Sequence, residues 1–247
     1  MFLSHWLNSY RLMLQWQALR LKPILPFIMV VQLLIAVGTV IGLGFLLPEI
    51  DPRSAMFLAT GAPTLALITV GLVMVPQMVA QAKLQGTFDY MWSLPVPRMV
   101  YLAADVTIWL SAALPGVVLA LIVGSLRYGF DLQISPLVVP AFLLVALTAT
   151  AIGYTIAHLS PSPVLTTLIT NVIVGLFMFS PVNYPAERLP VWFAELHRFL
   201  PLKYVADVIR GTLTQGDSGE LGLAFTVLGA WCVVGFGITY AMVTRQR

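Results

Sequence analysis

The sequence predicts an all-α integral membrane protein, and three observations carry that prediction. Hydrophobic residues make up 59% of the 247 positions and charged residues only 9%, with a mean hydropathy of +0.92. That leaves too little polar surface to cover a water-soluble domain. Stretches free of Asp, Glu, Lys and Arg run over residues 23–48, 54–82, 106–126, 132–186 and 221–244, each long enough for a crossing at about 20 residues per span. The segments around them carry apolar residues at helical spacing, so the remainder also reads as helix.

The fourth charge-free stretch is long enough for two spans. Its middle, AHLSPSP over residues 157–163, concentrates residues that break a helix, which gives six spans in a single transmembrane domain, 1–247. An even number puts both termini on one side. Arg11, Arg20, Lys22, Lys83, Arg98, Arg245 and Arg247 then face Arg53 and Arg127 in short loops on the other side, so the positive-inside rule places both ends in the cytoplasm. Arg188, Arg198, Lys203 and Arg210 fall in a long loop, where charge has little say in orientation. The expected location is the plasma (inner) membrane of a prokaryote.

Residues 1–22 are too mixed for a cleavable signal peptide, and none is expected. Phe2, Leu3, Trp6, Leu7, Tyr10, Met13 and Leu14 recur at helical spacing, with His5, Asn8, Arg11 and Gln15 opposite. This pattern describes a helix lying in the cytoplasmic membrane interface, with a packed lead-in to span one as the other reading.

Residues 85–98 read QGTFDYMWSLPVPR. Gly86 breaks the preceding helix, Thr87 is placed to cap the next, Asp89 suits its first turn, and Pro95 and Pro97 stop it, which specifies about two turns of helix. So short a helix is marginal alone and should dock against something. Residues 187–213 predict a second device, two short helices meeting at Pro201. Leu189, Trp192, Phe193, Leu196, Phe199 and Leu200 share one face of the first. Leu202, Val205, Ile209 and Leu213 share one face of the second, opposite Lys203, Asp207 and Arg210 at pairing distance. Neither helix is long enough to cross, so the pair should dip into or lie on the outer leaflet as a hairpin.

This combination resembles the permease subunit of the type-2 ABC (ATP-binding cassette) exporter family. The matching features are an interfacial helix, six spans, Gly86-Thr87 with Leu94-Pro95-Val96-Pro97-Arg98 between spans two and three, and Leu200-Pro201-Leu202-Lys203-Tyr204 with Ile209-Arg210-Gly211 before span six. The resemblance implies that residues 83–98 are a coupling helix region, which fits a cleft on a separate cytoplasmic ATPase. Gly86, Thr87, Phe88, Asp89, Met91, Trp92, Pro95 and Arg98 would be its contacts. It also implies two ATPase subunits, which would hold ATP and Mg, and a second permease copy or homologue. The chain has no GxxxxGK[ST] phosphate loop, so it is expected to be a transport subunit that binds no cofactor and does no catalysis of its own. One departure is that family members often carry charges just before the Gly-Thr pair, whereas Lys83 here stands beside neutral Leu84 and Gln85.

Each of these residues also has a plainer reading. Phe88, Met91 and Trp92 would equally suit a helix resting on lipid headgroups, Asp89 would complement its own helix terminus, and Arg98 would anchor a span. By resemblance the second and fifth spans line the path, which nominates Met74, Gln77, Asn171, Phe177 and Met178. Gln32, Gln77 and Asn171 would serve interhelical hydrogen bonding as well as substrate contact. Gly38 and Gly42 form a GxxxG that would allow close approach of a second protomer. Trp192, Phe193 and Phe199 would face the exit.

The basic residues are dispersed, which gives nucleic-acid binding no support. His5, His158 and His197 fall in separate elements without a second ligand at metal spacing, and the lone Cys232 reads as a small apolar residue. An ion-coupled secondary transporter would need a midspan carboxylate, and the charge-free stretches contain none. An intramembrane enzyme would rest on Ser160 or Ser162 near His158, serines that the SPSP turn already explains. The reading is therefore a non-catalytic permease for an amphipathic substrate, a drug, antibiotic or lipid, with an ion-coupled secondary transporter or another polytopic membrane protein as the alternative. Efflux and antibiotic resistance would follow for a drug substrate.

Overall fold

The computed structural model describes residues 2–46, 51–129, 132–182, 185, 189–214 and 218–245, and these are helical almost throughout. Helix α1 (Phe2–Leu21) turns through residues 22–24 into α2 (Leu25–Leu46). Helix α3 (Pro52–Thr69) continues through one π-helical turn (Val70–Met74) into α4 (Val75–Leu84). The short α5 (Thr87–Ser93) precedes the long α6 (Arg98–Tyr128), and α7 (Val138–Leu159) and α8 (Pro163–Met178) follow. Two short helices, α9 (Val191–His197) and α10 (Pro201–Thr214), lead to α11 (Ser218–Arg245).

Among the described residues, five helical stretches are long and apolar enough to cross a membrane: Leu25–Gly42, Arg53–Leu84, Arg98–Tyr128, Val138–Leu159 and Glu220–Met242. Helix α8, at 16 residues, reaches about 24 Å at 1.5 Å per residue, several Å less than a hydrocarbon core of about 30 Å. The break between α7 and α8 falls at SPSP because Ser162 caps α8. Its hydroxyl accepts from the Leu165 amide at 3.3 Å, and Pro163 takes the first helical position, where no amide hydrogen is needed.

Small residues set the packing. Helix α7 crosses the π-helical turn so closely that a side chain on Gly153 would collide with the Gly71 carbonyl, and one on Gly71 with Ala149. The π turn stands just before Pro76, whose missing amide hydrogen cannot serve the usual i−4 carbonyl. Helix α11 closes on α7 through Gly235, where a Cβ would lie 2.9 Å from that of Ala151. Thr148 and Thr155 of α7 donate to the Leu228 and Gly235 carbonyls at 3.3 Å each. On the other flank, α6 packs on α1, α2 and α3. Gln32 of α2 is fully buried there and its amide nitrogen donates to the Ala66 carbonyl at 2.9 Å, while its Oε1 takes no hydrogen bond from any described residue.

One expectation is corrected. Helix α6 begins at Arg98, so Asp105 lies two turns inside a membrane-spanning helix, not at the edge of a charge-free stretch. It is buried and accepts a 2.8 Å bond from the hydroxyl of the fully buried Tyr154 on α7. The absence of a carboxylate from the spans therefore no longer argues against an ion-coupled transporter.

Candidate coupling and translocation elements

Gly86 links α4 to α5 with φ +68°, the left-handed region that glycine enters without a Cβ penalty. It is itself the N-cap position of α5, and Thr87, expected as the cap, is the first helical residue and makes no side-chain capping bond. Of the nominated contacts, Met91 points inward. It is buried in a cluster with Met13, Val100 and Ala104, against Trp6, Tyr10 and Trp16 of α1. Pro95 is exposed and Arg98 half-buried. Tyr90, which the sequence reading did not single out, is 61% exposed on the surface of α5. The side chains of Phe88, Asp89 and Trp92 lie outside the described residues.

The inward face of α5 thus rests on α1 and the start of α6. Helix α1 is tied to α6 in turn. The hydroxyls of Tyr10 and Thr107 lie 2.8 Å apart, and Gln17 donates to the Tyr101 carbonyl at 3.5 Å. The apolar stripe read from the sequence is only partly the lipid face. Trp6, Tyr10 and Met13 pack into the protein, whereas Leu7, Leu12 and Leu19 are exposed beside Arg11 and Lys22. Lys83, the cation nearest the Gly-Thr pair, donates to the Ala157 carbonyl in the last turn of α7 at 2.8 Å, a stabilising placement for a cation at a helix C-terminus.

The nominated path residues do not share one environment. Met74 and Gln77 are half-buried, and the Gln77 amide donates to the Thr170 hydroxyl on α8 at 3.1 Å. Asn171, one residue on, is exposed on α8, while Phe177 is buried in the main core. Met178's side chain lies outside the described residues. Gly38 and Gly42 are exposed on α2 with nothing in this chain within 4 Å of a Cβ placed there.

Beyond α8, Trp192 and Phe199 are 71% and 78% exposed, and Phe193 stacks edge-on against His197 at 4.5 Å between ring centroids. Residues 186–188, the start of the expected hairpin, lie outside the described residues. The second helix runs through Gly211 to Thr214. The amides of Gln133 and Ser135 cap its last turn by donating to the Leu213 and Thr212 carbonyls at 3.0 and 2.8 Å. Arg210 was read as part of an outward polar face, yet it is buried. It donates to the Val182 carbonyl at 2.8 Å, the Thr60 hydroxyl at 3.3 Å and Asp207 Oδ1 at 3.2 Å, and it stacks on the Phe57 ring at 3.6 Å. Burial lowers its pKa to about 10, partly offset by Asp207, and burial likewise raises that of Asp207, partly offset by Arg210.

Long apolar helices joined by a short helix launched from Gly86 at one end and a buried-arginine helix at the other define a multi-pass membrane protein. The model of the ABC-2 type transporter family matches residues 6–214, and the chain belongs to that family as its membrane permease component, not its ATPase. Over 136 residues it is 27% identical to Nodulation protein J of Rhizobium leguminosarum bv. viciae, a match covering 55% of this chain and 52% of that protein. The chain thus spans about half the length of the curated relative it matches.

Proposed function

We propose that the chain is the membrane-spanning half of an ABC exporter, working with a second permease and two cytoplasmic ATPase subunits that hold ATP and Mg. In this reading α8 completes a sixth crossing, both termini are cytoplasmic in the inner membrane, residues 83–98 form the coupling region, and residues 187–213 form the exit hairpin. The observation that carries the reading is α5. A seven-residue helix launched by a left-handed Gly86 is held on its inner face by α1 and α6 through Met91, which leaves an outer face, including Tyr90, for a partner.

The exposed Asn171 on α8 and the open Gly38/Gly42 face on α2 support a second permease. Asn is costly against lipid, and small residues admit a close helix neighbour. An amphipathic substrate, drug, antibiotic or lipid, suits a path between such helices. The alternative, an ion-coupled transporter, gains Asp105 as a candidate group. Native mass spectrometry of the permease purified with its cognate ATPase separates the two. The exporter reading expects two permeases with two ATPases, and a fully active complex with a single permease, or activity without ATPase, would contradict it.

A further inference from the structure

An open cleft of about 320 Å³ lies between the start of α3, the outer half of α10 and the start of α11, at the end of the bundle away from α5. Its volume is that of a small-ligand site. Its walls carry two charges of each sign, Arg53 and Arg210 against Asp207 and Glu220, over an apolar side formed by Phe57 and Leu221. The like charges are close enough to influence one another in both pairs.

The two arginines are not equivalent. Arg210 is buried and already committed to Thr60, Val182, Asp207 and the Phe57 ring, so it is a fixed part of the wall. Arg53 is exposed at the mouth, where it also keeps an interaction within the chain. The carboxylates retain acceptor capacity. Asp207 uses Oδ1 for Arg210, while Oδ2 takes no hydrogen bond from any described residue, nor does exposed Glu220. Both acids therefore keep acceptor capacity toward the cleft, beside a cation and an apolar wall.

We propose that this cleft binds the zwitterionic headgroup of an amphipath, its ammonium on Asp207 and Glu220, its phosphate on Arg53, and the first carbons of its tail against Phe57 and Leu221. A ligand of zero net charge matches walls whose formal charges cancel, whereas an anionic headgroup could meet Arg53 but would bring no cation to the two carboxylates. The inference rests on the permease reading only for which leaflet supplies the ligand.

The test is lipid retention by the purified full chain in native mass spectrometry, after equal exposure to phosphatidylethanolamine and phosphatidylglycerol. The proposal expects selective retention of phosphatidylethanolamine, reduced at least tenfold in the Arg53→Gln/Glu220→Gln double variant. The thermal melting point should be unchanged, because both residues are exposed and outside the core. Addition of soluble O-phosphoethanolamine distinguishes the sources. Displacement of the lipid shows that the headgroup alone suffices, and no displacement with selectivity retained shows that the tail contributes. Equal retention of the two lipids, or a double variant that holds phosphatidylethanolamine as the parent does, would overturn the proposal. Neither outcome depends on an ATPase, so failure here leaves the transporter reading standing.

Discussion

Removing the Tyr154 hydroxyl would leave the Asp105 carboxylate without its 2.8 Å donor in a buried site between α6 and α7. An unsatisfied buried polar group costs about 1–3 kcal/mol, and more when it is charged. Tyr154→Phe should therefore lower the resistance of the detergent-solubilised permease to denaturant by at least that order, with a smaller loss for Asp105→Asn, which keeps an acceptor. A Tyr154→Phe curve coincident with the parent's would show that the bond contributes nothing. Nothing in a count of charge-free residues could have found this pair, because the count stopped at Val106. A signal was present nevertheless, since Tyr101 and Trp109 stand four residues to either side of Asp105 on one helix face, as hydrogen-bonding aromatics around a carboxylate would. Arg210 was legible in part. Its spacing from Asp207 predicts their ion pair, which forms at 3.2 Å. Its burial depends on Phe57, Thr60 and Val182, which no local pattern links to it.

Helices proved more legible than the faces they bury. Apolar runs, Pro and Gly located α2 and α11 to within a few residues, because chain solvation and missing amide donors act locally, whereas α6 starts eight residues before its charge-free run. The orientation of α1 did not follow from its stripe, since Trp6, Tyr10 and Met13 find protein partners on α5 and α6 in place of lipid. The tight crossing of α7 over Gly71 was likewise hidden, because it needs two glycines 82 positions apart to meet. For α9 the exposed aromatics give a prediction. Trp192 and Phe199 touch little of this chain, so replacing both with Asp should leave folding and retention of the ATPase intact while reducing export severalfold, by placing charge where the exit reading puts lipid or substrate. Normal export at matched abundance would remove the gating role.

Across the whole molecule, the arrangement runs from α5 through α1 and α6 to the bundle and ends at α9 and α10. Its direction in the membrane is a prediction. A single cysteine at Gln85, exposed between α4 and α5, should label only after permeabilisation, and one at Ile134, exposed beyond the far end of α6, should label in intact cells. The reverse pattern would invert the topology and move α5 away from any cytoplasmic ATPase. A sequence could indicate an ABC-type permease because a Gly-Thr helix start and a Pro stop are local signals. It could not indicate the partner's footprint, because the residues that face outward are decided by what α1 and α6 have already covered.

The central claim is that α5 is the point where a separate ATPase is engaged, and the retention of that ATPase by point variants tests it most directly. Gly86 has φ +68° and open space around a Cβ, so its substitutions report backbone conformation and not crowding. Asn should be tolerated, whereas Pro, fixed near −65°, cannot adopt this geometry. Trp92 is the proposed anchor, and truncating a Trp at an interface typically costs about 2 kcal/mol or more, roughly a thirtyfold loss of affinity. At matched permease abundance, Trp92→Ala and Gly86→Pro should each copurify little ATPase or hydrolyse ATP without export, while Gly86→Asn behaves as the parent. If Trp92→Ala and Gly86→Pro retain ATPase and export at parental levels, α5 is a connecting loop and the coupling assignment is wrong.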